Sequence, residues 1–127
     1  RGIIARQFNY GLFLNNGVLV TFDWFNNATR STGINIANGT WNYVTMTFSE
    51  TSGTPSNNAI IYLNGSSVLT CTIKLYLQTM PLQIASATND FSQVINGNIA
   101  IGQVYNRVLS ATEVLQNYNA TKSRFGL

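Results

Sequence analysis

Four Asn-Gly pairs punctuate this chain, and two of them, Asn16-Gly17 and Asn64-Gly65, each join runs in which apolar and polar residues alternate. Asn and Gly accept the positive φ of a type I′ turn, whose twist matches that of the flanking strands, so this pattern is a strong local hairpin signal. The first turn lies between Tyr10-Gly11-Leu12-Phe13-Leu14 and a return strand from Val18 to Trp24. The second lies between Ala59-Ile60-Ile61-Tyr62-Leu63 and a partner strand from Ser67 to Leu77. Thr40 to Phe48 alternates as cleanly, with Trp41 at its start. Shorter strands are expected at Gly2 to Gln7, Gly33 to Ile36 and Leu82 to Ala85, with a last one from Gly97 onward, about eight or nine in all. Phe25 to Ser31, Ser49 to Asn58 and Ala87 to Ser92 read as polar loops. With no βαβ unit in the series, the expected fold class is all-β: an antiparallel two-sheet jelly-roll sandwich with a short C-terminal helix. Val44, Met46, Phe48, Ile61, Leu63, Ile99, Ile101 and Val104 are expected to supply much of its core.

The helix has its own local signature. Ser110-x-x-Glu113 is a capping box, in which the Ser oxygen accepts from an early helical N–H and Glu113 reaches back to the cap. Leu109 and Val114 stand at the spacing of a hydrophobic staple. Val114, Leu115 and Tyr118 form one apolar stripe, which predicts a helix over about Ala111–Asn119 lying on the sandwich, with Tyr105 packed beneath it. Trp41, Asn64, Gly65, Ser110, Glu113 and Leu115 are therefore read as structural residues.

Composition narrows the function classes. Seventeen of 127 residues are Asn, against four carboxylates and seven Lys or Arg. The formal charge of +3 is spread from Arg1 to Arg124 without a dense patch, so no nucleic-acid partner is expected. No apolar run approaches the length needed to cross a bilayer, so no membrane insertion is expected. Cys71 is a lone cysteine that reads as a buried thiol, and the chain has no His to activate it. The Asn-x-Ser/Thr sequons at Asn27, Asn38, Asn64 and Asn119 read as turn asparagines.

Three stretches, taken in order, carry a family resemblance: Gly39-Thr40-Trp41-Asn42-Tyr43-Val44, then Ile61-Tyr62-Leu63-Asn64-Gly65, then Gly97-x-Ile99-x-Ile101-Gly102-x-Val104 running on to Leu109-Ser110-x-x-Glu113-Val114. Together they resemble the laminin-G-like, concanavalin A-like lectin/glucanase jelly-roll superfamily, over nearly the whole chain from Gly2. Members of that family usually begin with one or two further strands, one of them beside the last strand. The resemblance therefore implies that 1–127 is a laminin-G-like domain lacking its N-terminal strand or strands and cut from a longer chain. The stretch from Asn117 to Leu127 is also similar to chain ends of tailed-phage and other viral structural proteins bearing such a domain, which implies a natural terminus at Leu127 and a virion or extracellular surface location.

The enzymatic use of this fold is glycoside hydrolysis, which needs two carboxyl groups flanking the scissile bond. The acids here are Asp23, Glu50, Asp90 and Glu113, no two within twenty residues of each other. No catalytic residues are expected, and a glycoside hydrolase is the remote alternative. Sugar binding asks instead for aromatic faces and short polar groups. Trp24, Phe25, Asn26 and Asn27, with Asn89, Asp90 and Phe91, are the candidate ligand-binding residues at the sandwich rim. Trp24 reads equally as an edge plug, and Phe91 as an anchor of its own loop. Calcium is a side candidate at Asp23, Asn89 and Asp90, but these supply too few charges for a tight site, and no other cofactor is implied. The expected function is non-enzymatic recognition of a glycan or glycosylated surface receptor. The alternative is a structural capsid, tail or fibre decoration or assembly domain whose partners are other subunits of a larger assembly or an upstream parent segment.

Overall fold

The computed structural model describes residues 1–49, 56–75 and 78–127. Glu50, the middle of the expected Ser49–Asn58 loop and the Leu77 end of the expected partner strand lie outside the described residues. The elements are β1 (Gly2–Arg6), β2 (Tyr10–Asn15), β3 (Val18–Asp23), β4 (Ala28–Asn35), β5 (Val44–Phe48), β6 (Ala59–Leu63), β7 (Ser66–Cys71), β8 (Leu82–Ile84) and α1 (Ala111–Phe125). They form a five-stranded sheet of order β4-β3-β2-β1-β8 and a three-stranded sheet of order β5-β6-β7, each pairing antiparallel. The result is an all-β, two-sheet jelly-roll-like sandwich with one short C-terminal helix.

Both hairpin Asn-Gly pairs have the backbone their chemistry favours: Asn16 and Gly17 at φ 50 and 84, Asn64 and Gly65 at φ 51 and 82. At Gly65 space is limiting as well, since a Cβ there would sit 2.8 Å from the Tyr118 ring and 2.9 Å from Leu115. The second hairpin is therefore seated directly against the helix. Asn64 adds a bond of its own, its Oδ1 accepting from the Tyr43 N–H at 2.9 Å.

Alternation along the strands builds three apolar layers. Between the sheets, Leu12 and Leu19 meet Ile61, flanked by Ile3, Ile4, Ile36, Val44, Met46, Val68 and Leu69. On the other face of the five-stranded sheet, Ala5, Phe13, Val20 and Ala87 cluster with Val18, Phe22 and Trp24. On the other face of β6, Tyr62 and Ile60 pack against Leu109 and Val114. The helix thus covers the outside of the smaller sheet. Its capping box is complete, with the Ser110 side chain accepting from the Glu113 N–H and the Glu113 carboxylate accepting from the Ser110 N–H. Gly126 ends it in a left-handed conformation at φ 69.

Several features differ from expectation. The helix runs past Asn119 to Phe125, whose ring meets Trp41 at 5.3 Å between centroids, a contact no local signal announces. Trp41 lies ahead of β5 and is 40 % exposed, so it braces the helix end instead of opening a core strand. Leu115 is 45 % exposed, and the fully buried helix residue is Val114. The polar stretch from Ala28 is an edge strand, because β3 supplies a partner for its backbone. The segment from Gly97 is not a strand: β1 is already paired on both sides, by β2 and β8, and Ile101 and Val104 are 42 % and 61 % exposed. Replacing Ser110 with Ala is expected to destabilise the fold by about 1 kcal/mol through the lost cap. Val114→Ala should exceed Leu115→Ala in the same denaturant melts, because only Val114 leaves a cavity.

Candidate functional site

The first candidate loop begins where β3 ends. Asp23 is fully buried, and its carboxylate accepts from the Asn26 N–H at 3.1 Å, Asn26 Nδ2 at 2.9 Å, Arg30 at 2.9 Å and the Lys74 N–H at 3.3 Å. Burial alone raises such a carboxyl, but these donors outweigh it and hold Asp23 below the ordinary carboxylate range. Arg30 also donates from Nε to the Thr72 carbonyl at 3.1 Å, so this one cluster ties β3, β4 and the segment after β7 together. Donors thus occupy both oxygens of Asp23, one of the calcium candidates, and two of its neighbours are cationic. Among the described residues, no group of three or more His, Cys, Asp or Glu is placed to hold a metal ion.

Trp24 turns the opposite way, as alternation requires. Its ring meets Phe22 at 4.7 Å, Phe8 at 5.3 Å and Phe13 at 6.3 Å, each edge to face, over the outer layer of the larger sheet. Among the described residues its buried Nε1 has no hydrogen-bond partner. Phe25 is exposed, with Lys74 Nζ 3.8 Å above its ring. Asn26 has its amide committed to Asp23, and Asn27, at φ 50, is exposed in the turn.

The second candidate loop is anchored to the β1–β2 turn. The Asn89 N–H donates to Gln7 Oε1 at 3.2 Å, while Trp24 contacts the neighbouring Phe8, so both predicted loops flank the same turn. Asp90 accepts from the Ser92 N–H at 3.1 Å and from Ser92 Oγ at 2.8 Å. Hydrogen bonding from the Thr88 side chain and from Ser92 draws its pKa down to about 2. Phe91 projects outward, 65 % exposed and at φ 57. Phe25, Asn27, Asn89, Asp90 and Phe91 thus keep surface exposure, whereas Asp23, Trp24 and the Asn26 amide face inward. Arg30 and Lys74 were not among the candidates. Asp23-x-x-Asn26 is a local signal for a side-chain-closed turn, but only β3–β4 pairing reveals Arg30.

Glu113, the remaining acid among the described residues, is also engaged. Glu113 pairs with Arg107 through both carboxylate oxygens, at 2.7 and 2.9 Å, and caps the helix, which holds its pKa at about 2. Cys71 is buried, and burial pushes its thiol up, away from reactivity. Because the native carboxyls of Asp23, Asp90 and Glu113 ionise more readily than free ones, their stabilisation is complete above the ordinary carboxyl range and is lost as pH falls through the native values. Melting temperature is therefore expected to hold down to about pH 4.5 and to decline from there toward pH 2. Glu113→Gln should make that decline shallower, as read by thermal melts across the series.

Comparison with known proteins places this geometry in context. A family model described as the concanavalin A-like lectin/glucanases superfamily matches residues 2–115. Among solved structures, the chain is similar to an S-layer domain-containing protein (residues 221–444) from Clostridium thermocellum ATCC 27405, at 16 % identity and a TM-score of 0.49. That alignment covers 88 % of this chain and 64 % of the other. No curated protein matches. No helix among the described residues is long and apolar enough to cross a membrane. With the family match running from the first strand into the capped helix, the chain belongs to the concanavalin A-like lectin/glucanase superfamily.

Proposed function

We propose that this domain is a non-catalytic structural module that makes protein–protein contacts as a decoration or assembly unit at a virion or cell surface. The observation that carries the reading is a run of exposed apolar side chains between β8 and the helix. Val94, Ile101, Val104, Tyr105 and Val108 are all exposed there, with Ile84 of β8 beside them. Large contiguous apolar exposure marks interaction surfaces. Catalysis is disfavoured because each described acid is bound up in a structural role: Asp23 with Arg30, Asp90 with Ser92 and Glu113 in the helix cap.

A second reading, recognition of a neutral glycan, rests on exposed Phe91 beside Asn89. A glycan array probed with wild type and Phe91→Ala, together with hydroxyl-radical footprinting of the parent particle, separates the two. The assembly reading expects no glycan bound and Val104, Tyr105 and Val108 covered in the particle. Binding that Phe91→Ala abolishes, with those residues left bare, would replace it by the glycan reading.

A further inference from the structure

We infer that Asn38 is an acceptor for N-linked glycosylation, and that it is the sequon which the folded domain presents to a glycosyltransferase. The chain carries Asn-x-Ser/Thr at Asn27, Asn38, Asn64 and Asn119, and the fold treats them differently. Asn27-Ala28-Thr29 runs into the larger sheet, where Ala28 and Thr29 pair with Asp23 and Phe22 of β3. At Asn64 the side-chain oxygen accepts from the Tyr43 N–H, Gly65 stands against Tyr118 and Leu115, and Ser66 pairs with Leu63 in the hairpin. Asn119 lies inside α1, and Thr121 turns its hydroxyl onto the Asn117 and Tyr118 carbonyls at 3.0 and 3.2 Å. A transferase must draw the three sequon residues into its own groove. At these three positions that breaks ladder or helical hydrogen bonds, so each must first open locally.

Asn38-Gly39-Thr40 sits instead in the link between β4 and β5. All three residues are exposed, and among the described residues 37–42 take part in no backbone–backbone hydrogen bond. A Cβ built on Gly39 would meet nothing within 4 Å, so the middle of the sequon faces open space. The side chains also suit the chemistry. Asn38 Oδ1 accepts from Thr40 Oγ1 at 2.7 Å, from the Thr40 N–H at 3.2 Å and from Asn42 Nδ2 at 3.4 Å, which leaves Asn38 Nδ2 directed at no described partner. An amide nitrogen is a poor nucleophile because its electron pair is delocalised into the carbonyl. Donors on Oδ1 stabilise the negative charge that this oxygen takes on as Nδ2 gives up a proton. In the transfer, Nδ2 attacks the anomeric carbon of a sugar activated as a diphosphate ester. The N–C bond forms and the bond from that carbon to the phosphate oxygen breaks. The diphosphate leaves with the electron pair, and the Nδ2 proton passes to a base of the enzyme. A sugar so placed keeps the β4–β5 link in solvent, whatever partner the domain takes.

Incubating the folded chain with UDP-glucose and a soluble N-glucosyltransferase that acts on Asn-x-Ser/Thr, then mapping the peptides by mass spectrometry, tests this. The expected result is one glucose on Asn38, added about tenfold or more faster than at Asn27, Asn64 or Asn119, which are held in the ladder, the hairpin and the helix. Asn38→Gln and Thr40→Ala should each abolish the product, whereas Thr40→Ser, which keeps the hydroxyl, should retain it. Both positions are exposed and outside any strand, so unchanged thermal melts will show that the variants fold. In four short peptides, one for each sequon, the same enzyme should lose most of its preference for Asn38. No glucose on Asn38 of the folded chain, faster transfer at another sequon, or a preference equally strong among the peptides would overturn the inference.

Discussion

Replacing Asp23 with Ala is expected to destabilise the fold by about 3 kcal/mol, the lower end of the range for breaking a buried ion pair. The lower end applies because the Arg30 side chain keeps 35 % of its surface exposed and regains water, while the Asn26 and Lys74 N–H groups lose their acceptor. Asp23→Asn should cost less than Asp23→Ala, since an amide oxygen still accepts but carries no charge for Arg30. Urea melts of the three proteins give the ordering. Equal stability of wild type and Asp23→Ala would mean that the cluster joining β3, β4 and the segment after β7 is dispensable. The same experiment tests whether this carboxylate is a framework residue, because a vacant calcium ligand would leave the metal-free protein unharmed or stabilised by its removal.

Leu19→Ala should cost about 2–5 kcal/mol, because Leu19 is fully buried between the sheets against Leu12 and Ile61 and its deletion leaves a cavity. Val104→Ala is expected within about 0.5 kcal/mol of wild type, as for a surface substitution. The two positions are both apolar members of alternating runs. Their different costs would show directly that the core lies between the paired sheets and that the 97–108 segment lies outside it. Comparable losses at both would restore that segment to the core.

The contrast between those residues marks what the sequence could and could not disclose. Turns and caps are local: Asn16-Gly17 and Asn64-Gly65 must reach positive φ, and Ser110 and Glu113 satisfy donors within one helical turn, so neighbours alone reveal them. Alternation likewise separated Ile61 from Ile60 and Tyr62. Pairing is not local. Ala28 to Asn35 looks polar because both faces of an edge strand are largely wet, and only β3 beside it makes it a strand. Ile99, Ile101 and Val104 alternate like a core strand, yet the period says which face is apolar and not whether a partner exists. At the candidate site the sequence pointed to a rim shared by the loops at 23–27 and 89–91, but not to the β1–β2 turn that both flank. The direction each side chain takes was not legible either, because Asp23 is drawn inward by Arg30 and Lys74, and Trp24 by three phenylalanines.

The strand order also carries a kinetic consequence. The strands β1 to β4 pair in sequence, as do β5 to β7, so each sheet can grow by closing short hairpins at small entropic cost. Only β8 must travel, meeting β1 across roughly 80 residues of chain. The two meanders are therefore expected to form first and β8 to dock last. Substitutions in the β2–β3 hairpin should slow refolding, whereas weakening the β1–β8 pairing should leave refolding unchanged and speed unfolding.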